Sequence, residues 1–412
     1  MFGKAINGIK YWGQLFLLPI YWLSFLFPRN KNIWLFGSTF GRRFADNPRY
    51  FFLYCSQHKE DILIGKKKVR PIWISHDKSI VEFLIRSGYE SYYYHSLKGI
   101  WYCLRGRIYF FDNYSKDISF WLSGGAKKFN MWHGVPLKKI QHDNIFDKFR
   151  HPENPWQKWK SFPRTLSDEK PSHYVLTTSE YMKDIFSSAF KTDNVCTKGY
   201  PRVDGFAYGD IDNIYTDVEQ EALNKINAVL SKDSDKKMIY YMPTFRDSET
   251  QFFDIMDLSK FNEFLRRENI LLCTKLHPKS KLKDKFEEIE SENIINIPAD
   301  TDPYVFINKS DGLITDYSSI YFDYLFAGKP ICFFDYDLQI YLEDSREMYF
   351  DYDEFTPGEK ACNQAELEKV IVNICRGLDD YKEERESLQD KVFDITDKSV
   401  CGGLVEYLKT II

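Results

Sequence analysis

Runs of consecutive apolar residues recur along this chain, each followed by an amphipathic stretch, and no other feature constrains the fold as tightly. A run that is apolar at every position has no solvent face. It must lie inside a sheet covered on both sides, and the intervening helices are what cover it, so the strands run parallel in an α/β architecture. In the first half strands are expected at 32–36, 69–75, 91–94, 107–111, 128–132, 174–178 and 194–198, with helices such as 47–56 and 78–87 between them. In the second half strands at 238–242, 270–276, 294–297, 312–315 and 331–334 alternate with helices at 258–267, 281–290, 304–308 and 319–327. The last stretch, ending at 405–412, is helical. A chain of 412 residues is too long for one comfortable core, so two domains of about 150–200 residues each are expected. Their junction falls in the polar stretch 209–235.

Composition narrows the function classes. The formal charge of −4 provides no basic field for general nucleic-acid binding. Aromatic residues reach 17%, a content that suits thick buried strands and also an interface with lipid or polymer. The eight cysteines are scattered without a C-x-x-C pair, several inside apolar runs such as Ile331-Cys332-Phe333, so they read as reduced core residues of a cytosolic protein and not as zinc ligands.

Two segments break the α/β rhythm. Residues 11–27 are aromatic and aliphatic, interrupted by Pro19 and flanked by Lys4, Lys10, Arg29 and Lys31. They are marginal for a membrane span and lack a following cleavage site, so a segment lying on the membrane surface is preferred over a packed helix or a span. Residues 143–170 gather Phe146, Phe149, Trp156, Trp159 and Phe162 among prolines and basic residues, either as a plain surface insertion or as a basic-aromatic patch for lipid headgroups or an anionic polymer.

In an open parallel sheet, ligands bind beyond the carboxyl ends of the strands. The unusual polar residues of the second half fall there: Pro243, Thr244, Phe245, Arg246 and Asp247 after one strand, His277 and Pro278 after the next, Asp300 and Asp302 after a third, and Asp316, Tyr317, Ser318 and Ser319 after a fourth. They are expected to face a common cleft. The run Asp316 to Ser319 has the chemistry of an anion cradle, since helix N-terminal amides and small hydroxyls both donate to phosphate, and equally that of an ordinary N-cap. Arg246 and His277 at neighbouring strand ends favour the phosphate reading. In the first half, His133 beside Gly134 is placed for proton transfer or for a structural role. The small-residue loop Gly37 to Gly41 is a weaker ligand-wrapping candidate. P-loop, G-x-G-x-x-G, G-x-S-x-G and H-E-x-x-H patterns are absent, which removes support for P-loop NTPases, simple dehydrogenases, α/β-hydrolases and zincins, and no D-x-D metal motif of the kind metal-dependent sugar transferases use is evident.

Five blocks carry a family resemblance: Trp132-His133-Gly134-Val135-Pro136-Leu137-Lys138, Gly199-Tyr200-Pro201-Arg202-Val203-Asp204, Pro243-Thr244-Phe245-Arg246-Asp247, Lys275-Leu276-His277-Pro278, and Thr315-Asp316-Tyr317-Ser318-Ser319 with Asp323. In order and spacing they resemble the CDP-glycerol:poly(glycerophosphate) glycerophosphotransferases, which build teichoic acids and related capsular polymers. Val135 stands where that family most often has Thr. The resemblance implies a GT-B type fold, two Rossmann-like domains facing across a cleft. With the membrane-associating segment at 1–30 and the 143–170 insertion read above, it implies an acceptor-side domain at 31–205, a CDP-polyol domain at 206–385, and a helix at 386–412 crossing back to the first domain. It implies attack of an acceptor hydroxyl on the β-phosphorus of CDP-glycerol or another CDP-polyol with loss of CMP, without metal or cofactor.

On that pattern His133 is the general base and His277 contacts the diphosphate or assists CMP departure. Arg246, Ser318 and Ser319 hold the diphosphate, and Trp132, Gly134, Val135, Pro136, Arg202, Pro243, Thr244, Lys275, Asp316 and Asp323 complete the donor site. The implied partners are the CDP-polyol, a lipid-linked polyol-phosphate or glycan acceptor and the cytoplasmic face of the membrane, where the enzyme would be peripheral, with no nucleic acid. Two rival readings stand beside this one: a GT-B nucleotide-sugar transferase or epimerase using a UDP-sugar, and a non-catalytic polymer-binding protein that kept the fold.

Overall fold

The computed structural model describes residues 11–168, 172–246, 249–344, 347–394 and 399–412. Lys4, Lys10, Lys170 and Asp247 lie outside the described residues. The chain divides into two compact units. The first runs up to His133 and adds Gln141–Ile214 and Asp394–Ile412; the second is Gly134–Ile140 with Tyr215–Phe393.

The first unit contains β1 (Asn30–Phe36), a small hairpin of β2 (Leu63–Ile64) and β3 (Lys67–Lys68), then β4 (Arg70–Ser75), β5 (Ser91–Tyr93), β6 (Gly106–Phe111), β7 (Lys127–Asn130), β8 (Tyr174–Leu176) and β9 (Val195–Cys196). Its main sheet has the order β5-β4-β1-β6-β7-β8-β9 and every ladder in it is parallel. Successive β1 side chains point to opposite faces. Ile33 and Leu35 join Ile72, Ile74, Tyr109 and Phe111 on one face. Trp34 and Phe36 go to the other, where Phe36 stacks on Phe110 at 4.9 Å and meets Phe51 and Phe52 of the helix Asp46–Gln57. Much of the aromatic content is therefore core, packed edge-to-face and offset.

The second unit contains β10 (Lys237–Tyr241), β11 (Ile270–Thr274), β12 (Ile294–Asn296), β13 (Gly312–Thr315), β14 (Ile331–Phe334) and β15 (Glu359–Ala361), all parallel in the order β12-β11-β10-β13-β14-β15. The edge strand β15 was not expected, because Glu-Lys-Ala has no apolar run; an edge strand with one covered side needs none. In each sheet the first strand sits inside, and the chain winds outward from it in both directions. The two topological switch points therefore lie between β1 and β6 and between β10 and β13.

Several strands stop short of their apolar runs. β7 ends at Asn130 and not at Trp132, because Trp132 adopts a left-handed φ of 50° and gives its N–H to Asn130 Oδ1 at 2.9 Å. Residues 134–140 then pack with the second unit, where Lys139 N–H donates to the Glu347 carbonyl and Tyr349 N–H to that of Leu137. The Lys139–Glu347 ion pair at 2.9 Å ties the same contact. The helix Lys382–Val392 belongs to the second unit and the final helix Val400–Ile411 to the first.

The Asp204 carboxylate holds that final helix. Its oxygens accept from Ser399 Oγ at 3.1 Å, Val400 N at 2.9 Å and Cys401 N at 2.7 Å, so one buried side chain satisfies the amides of the helix start. Asp204→Ala is expected to cost about 1–3 kcal/mol in urea unfolding and to raise amide exchange selectively over 400–411.

Candidate active site

At the second unit's switch point the loop after β10 is tied to the loop after β13. Thr315 Oγ1 donates to the Met242 carbonyl at 2.8 Å, and Thr244 N–H donates to the buried Asp316 carboxylate at 3.0 Å. Asp316 Oδ1 also accepts from Ser318 N–H at 3.1 Å, which sets the turn leading into the short helix Ile320–Tyr324. Ser318 and Ser319 are half-buried at its start. Gly134 packs against them: a Cβ there would lie 2.6 Å from Ser319 Oγ, so a side chain at this position would displace the hydroxyl. Lys138 Nζ lies 3.5 Å from Thr244 Oγ1, while Val135 and Pro136 are buried and Pro243 is half-buried.

Arg246 is turned inward. Its guanidinium makes a fork on Asp337, with Nη2 to Oδ1 at 2.8 Å, and also reaches Asp316 Oδ2 at 2.8 Å and the Thr244 carbonyl at 2.9 Å. Tyr317 OH donates to the same Asp337. With two carboxylates on one cation, this group organises the switch point from beneath.

His277 follows β11 and is exposed. Its Nδ1 accepts the Lys279 N–H at 3.2 Å, which puts the proton of the neutral ring on Nε2. Phe245 lies against the imidazole at 4.6 Å. Behind this loop the buried Glu249 carboxylate accepts from Ser280 Oγ, Lys281 N and Leu282 N, fixing where the loop turns into the helix Lys281–Glu288. Lys275 is buried, donating to the Pro298 carbonyl and Thr301 Oγ1 at 2.9 Å each. Asp323 is buried too, accepting from Tyr304 OH at 3.1 Å.

In the first unit His133 comes directly after the left-handed Trp132, whose ring it meets at 3.9 Å. Asn47 Nδ2 fixes that bend by donating to the Met131 and Trp132 carbonyls. His133 Nδ1 lies 3.2 Å from the Asp112 carbonyl, an acceptor only, so this nitrogen carries the proton and Nε2 keeps its lone pair. Arg202 is fully buried and paired with Asp46 at 2.6 Å, and its N–H meets Asn47 Oδ1. It supports the Asn47 contact from below.

The Asp112 carboxylate accepts from Ser38 Oγ and Thr39 N at 2.8 Å each. Asp117 accepts from Phe40 N, Asn113 N and Tyr114 N and shares a hydrogen bond with Asp112. Burial, with Asp112's charge added to it, pushes Asp117 well above the usual carboxylate range; burial and then Asp46 push Asp112 up as well, while His133 draws it down. Sequence reasoning missed Asp112, Asp117, Glu249 and Asp337. Asp112 follows β6 directly, so the strand-end rule that found Arg246 points to it equally.

Two Rossmann-like units, each with polar groups at its switch point, define a GT-B type architecture. The family profile described as CDP-Glycerol:Poly(glycerophosphate) glycerophosphotransferase matches residues 20–409, and the chain belongs to that family of transferases. It is 29% identical over 364 residues to a teichoic acid poly(glycerol phosphate) polymerase of Bacillus spizizenii, covering 83% of this chain and 84% of that one. It is 26% identical over 392 residues to a teichoic acid glycerol-phosphate transferase of Staphylococcus aureus, covering 89% and 90%. Among solved structures it resembles the wall teichoic acid polymerase TagF soaked with CDPG, with TM-score 0.72, 22% identity and coverage of 100% and 98%. A putative UDP-N-acetylglucosamine 2-epimerase of Listeria monocytogenes shares the fold at TM-score 0.51 and 11% identity over 93% and 96% of the chains.

Asp337→Ala would leave Arg246 paired with Asp316 alone and remove the acceptor of its fork and of Tyr317 OH, and is expected to destabilise the second unit by about 1–3 kcal/mol in denaturant unfolding. Asp117 gives a pH signature. Its folded pKa is raised, so the stability it contributes is complete below its unfolded value of about 4 and is lost as pH rises through the folded one. Unfolding free energy should fall with rising pH over that window, and Asp117→Asn should flatten the decline while lowering stability at acid pH.

Proposed function

We propose that this chain transfers glycerol phosphate from CDP-glycerol to the terminal hydroxyl of a polyol-phosphate acceptor, releasing CMP. The observation that carries this reading is the opposite tautomer of the two histidines. His133 presents a lone pair at Nε2 and suits removal of the acceptor hydroxyl's proton; His277 presents an N–H at Nε2 and suits donation to the departing phosphate. The acceptor oxygen forms a bond to the β-phosphorus as its proton passes to His133. The bond from that phosphorus to the CMP oxygen breaks, and His277 donates a hydrogen bond from Nε2–H to the oxygen that leaves with CMP, which carries the bonding electron pair away as its negative charge.

Ser318, Ser319 and Thr244 supply donors for the diphosphate, set by Asp316 and by the Gly134 backbone beneath them. Phosphoryl transfer draws most of its acceleration from such positioning and charge stabilisation. Arg246 and Arg202 act as positioning residues in this scheme, since both are buried and ion-paired. Lys275 and Asp323, buried behind the strand ends, take the same supporting role. Trp132 acts by holding the bend that aims His133.

The acceptor is lipid-linked and the enzyme works at the cytoplasmic membrane surface in this proposal. Support comes from the way the 143–170 region meets the N-terminal segment. Trp12 stacks on Trp159 at 4.2 Å, Trp159 on Trp156 at 5.0 Å, and Tyr11 OH donates to the Lys160 carbonyl. Tyr21 stacks on Phe120 and Arg29 donates to the Leu122 carbonyl, fastening the segment, while Phe16, Trp22, Leu26, Trp156 and Phe162 stay exposed. Among the described residues no helix is long and apolar enough to cross a membrane. An aromatic surface with basic neighbours fits the interface of a bilayer.

CMP release should be followed with CDP-glycerol, CDP-ribitol and UDP-sugars, using a lipid-linked glycerophosphate acceptor, for the wild type, His133→Ala and His277→Ala. CMP from a CDP-polyol, with a loss of at least 100-fold in each variant, is the expected result. UDP release, or histidine variants of undiminished activity, would overturn the mechanism.

A further inference from the structure

The donor chemistry accounts for the β10–β13 switch point. The β1–β6 switch point of the first unit has equally specific construction, and the transferase chemistry uses only the His133 beside it. Thr39, Phe40 and Gly41 have φ of 47°, 57° and 76°, three left-handed residues in succession. For the two that are not glycine this conformation costs about 1–3 kcal/mol each and persists only where surrounding groups enforce it. Here Asp112 takes the Thr39 N–H and Asp117 the Phe40 N–H, from carboxylates buried under the loop. The backbone is also pressed close: a Cβ on Gly41 would meet the His76 ring at 2.5 Å and the Asp117 carbonyl at 2.8 Å.

The product of that strain is an aromatic ring held out at the carboxyl edge of the sheet. Phe40 is 46% exposed. Its ring lies 6.2 Å from that of Tyr114, and Lys116 Nζ sits 5.5 Å from the first ring and 5.0 Å from the second. An ammonium against two half-open rings, at the point where a doubly wound sheet binds its ligand, matches a ligand that is anionic and carries short hydrocarbon faces. The anchoring residue is shared with the base, because Asp112 holds Thr39 through its carboxylate and His133 through its carbonyl. One residue thereby fixes both the loop and the base of the proposed transfer.

We propose that the β1–β6 switch point is the subsite for the acceptor's nearest internal phosphodiester, with Lys116 pairing with the phosphate and Phe40 and Tyr114 covering the polyol carbons. This rests on the transferase reading insofar as His133 takes the terminal hydroxyl. The subsite makes the enzyme prefer an acceptor that already carries polyol phosphate over a neutral one.

The test is equilibrium titration of the full chain, without CDP-glycerol, using a short glycerol-phosphate oligomer and the neutral polyglycerol of the same length. The wild type should bind the phosphate oligomer at least tenfold more tightly. Lys116→Gln should bring that ratio near one, and Lys116→Arg should keep it. Phe40→Gly, which adopts the same backbone without strain, should weaken the binding of both oligomers severalfold with no loss of thermal stability. A wild type indifferent to phosphate, an unchanged ratio in Lys116→Gln, or a Phe40→Gly protein that binds both oligomers normally would overturn the subsite. The donor reading fails separately: a charge-dependent preference in a protein that releases no CMP leaves the subsite standing and removes the transferase, while CMP release with charge-blind binding removes the subsite alone.

Discussion

In both units a backbone N–H from the loop after the central strand is given to a buried aspartate that begins the loop across the switch point. Thr39 after β1 donates to Asp112 after β6, and Thr244 after β10 donates to Asp316 after β13. A switch point is where two neighbouring loops leave a sheet in opposite directions, so the backbone there loses its ladder partners and gains none from a helix. Leaving those amides unpaired beneath a covered loop would cost about 1–3 kcal/mol each, and the buried carboxylates are tolerated there because the amides and their other partners satisfy their oxygens. One side chain thereby determines the path of two loops, and of the groups that touch substrate in the proposed reaction His277 alone stands on another loop, the one fixed by Glu249.

The charges needed for this are neutralised inward. Asp316 and Asp337 share Arg246, Asp46 pairs with Arg202, and Asp117 shares a hydrogen bond with Asp112. The groups left nearer the surface include small hydroxyls, amides and imidazoles, with the Lys138 ammonium beside Thr244 and the Lys116 ammonium beside Phe40. The tautomers follow from the same economy of partners. A carbonyl beside His133 Nδ1 and an amide beside His277 Nδ1 are both backbone groups, so the opposite tautomers of the two neutral rings follow from the chain's path.

The parallel order of the sheets was legible because fully apolar runs have only one environment that suits them, and the strand-end rule located His277, Arg246 and the Asp316–Ser319 turn from that pattern alone. The rule says where a polar side chain starts and not where it points. Arg246 looks like a phosphate ligand in the sequence and Arg202 is placed in the donor site by the family resemblance, and both are ion-paired inside the protein. Their carboxylate partners, Asp337 and Asp46, are far away in sequence, and nothing in a local pattern couples them. β15 and the early end of β7 were hidden for related reasons: an edge strand needs no apolar run, and the left-handed Trp132 is stabilised by Asn47 from a helix that precedes it by many residues.

The sequence by itself determined the α/β class, the two units, the family and the strand ends at which the polar residues stand, since each of these depends on local periodicity or on the order of short blocks. Tertiary structure alone decided which charged groups are spent on each other, which nitrogen of each histidine carries its proton, and that a strained loop lifts Phe40 beside Lys116. Those outcomes depend on distances between segments remote in the chain, and hydrogen bonds and ion pairs are too short-ranged to be inferred before the chain has folded.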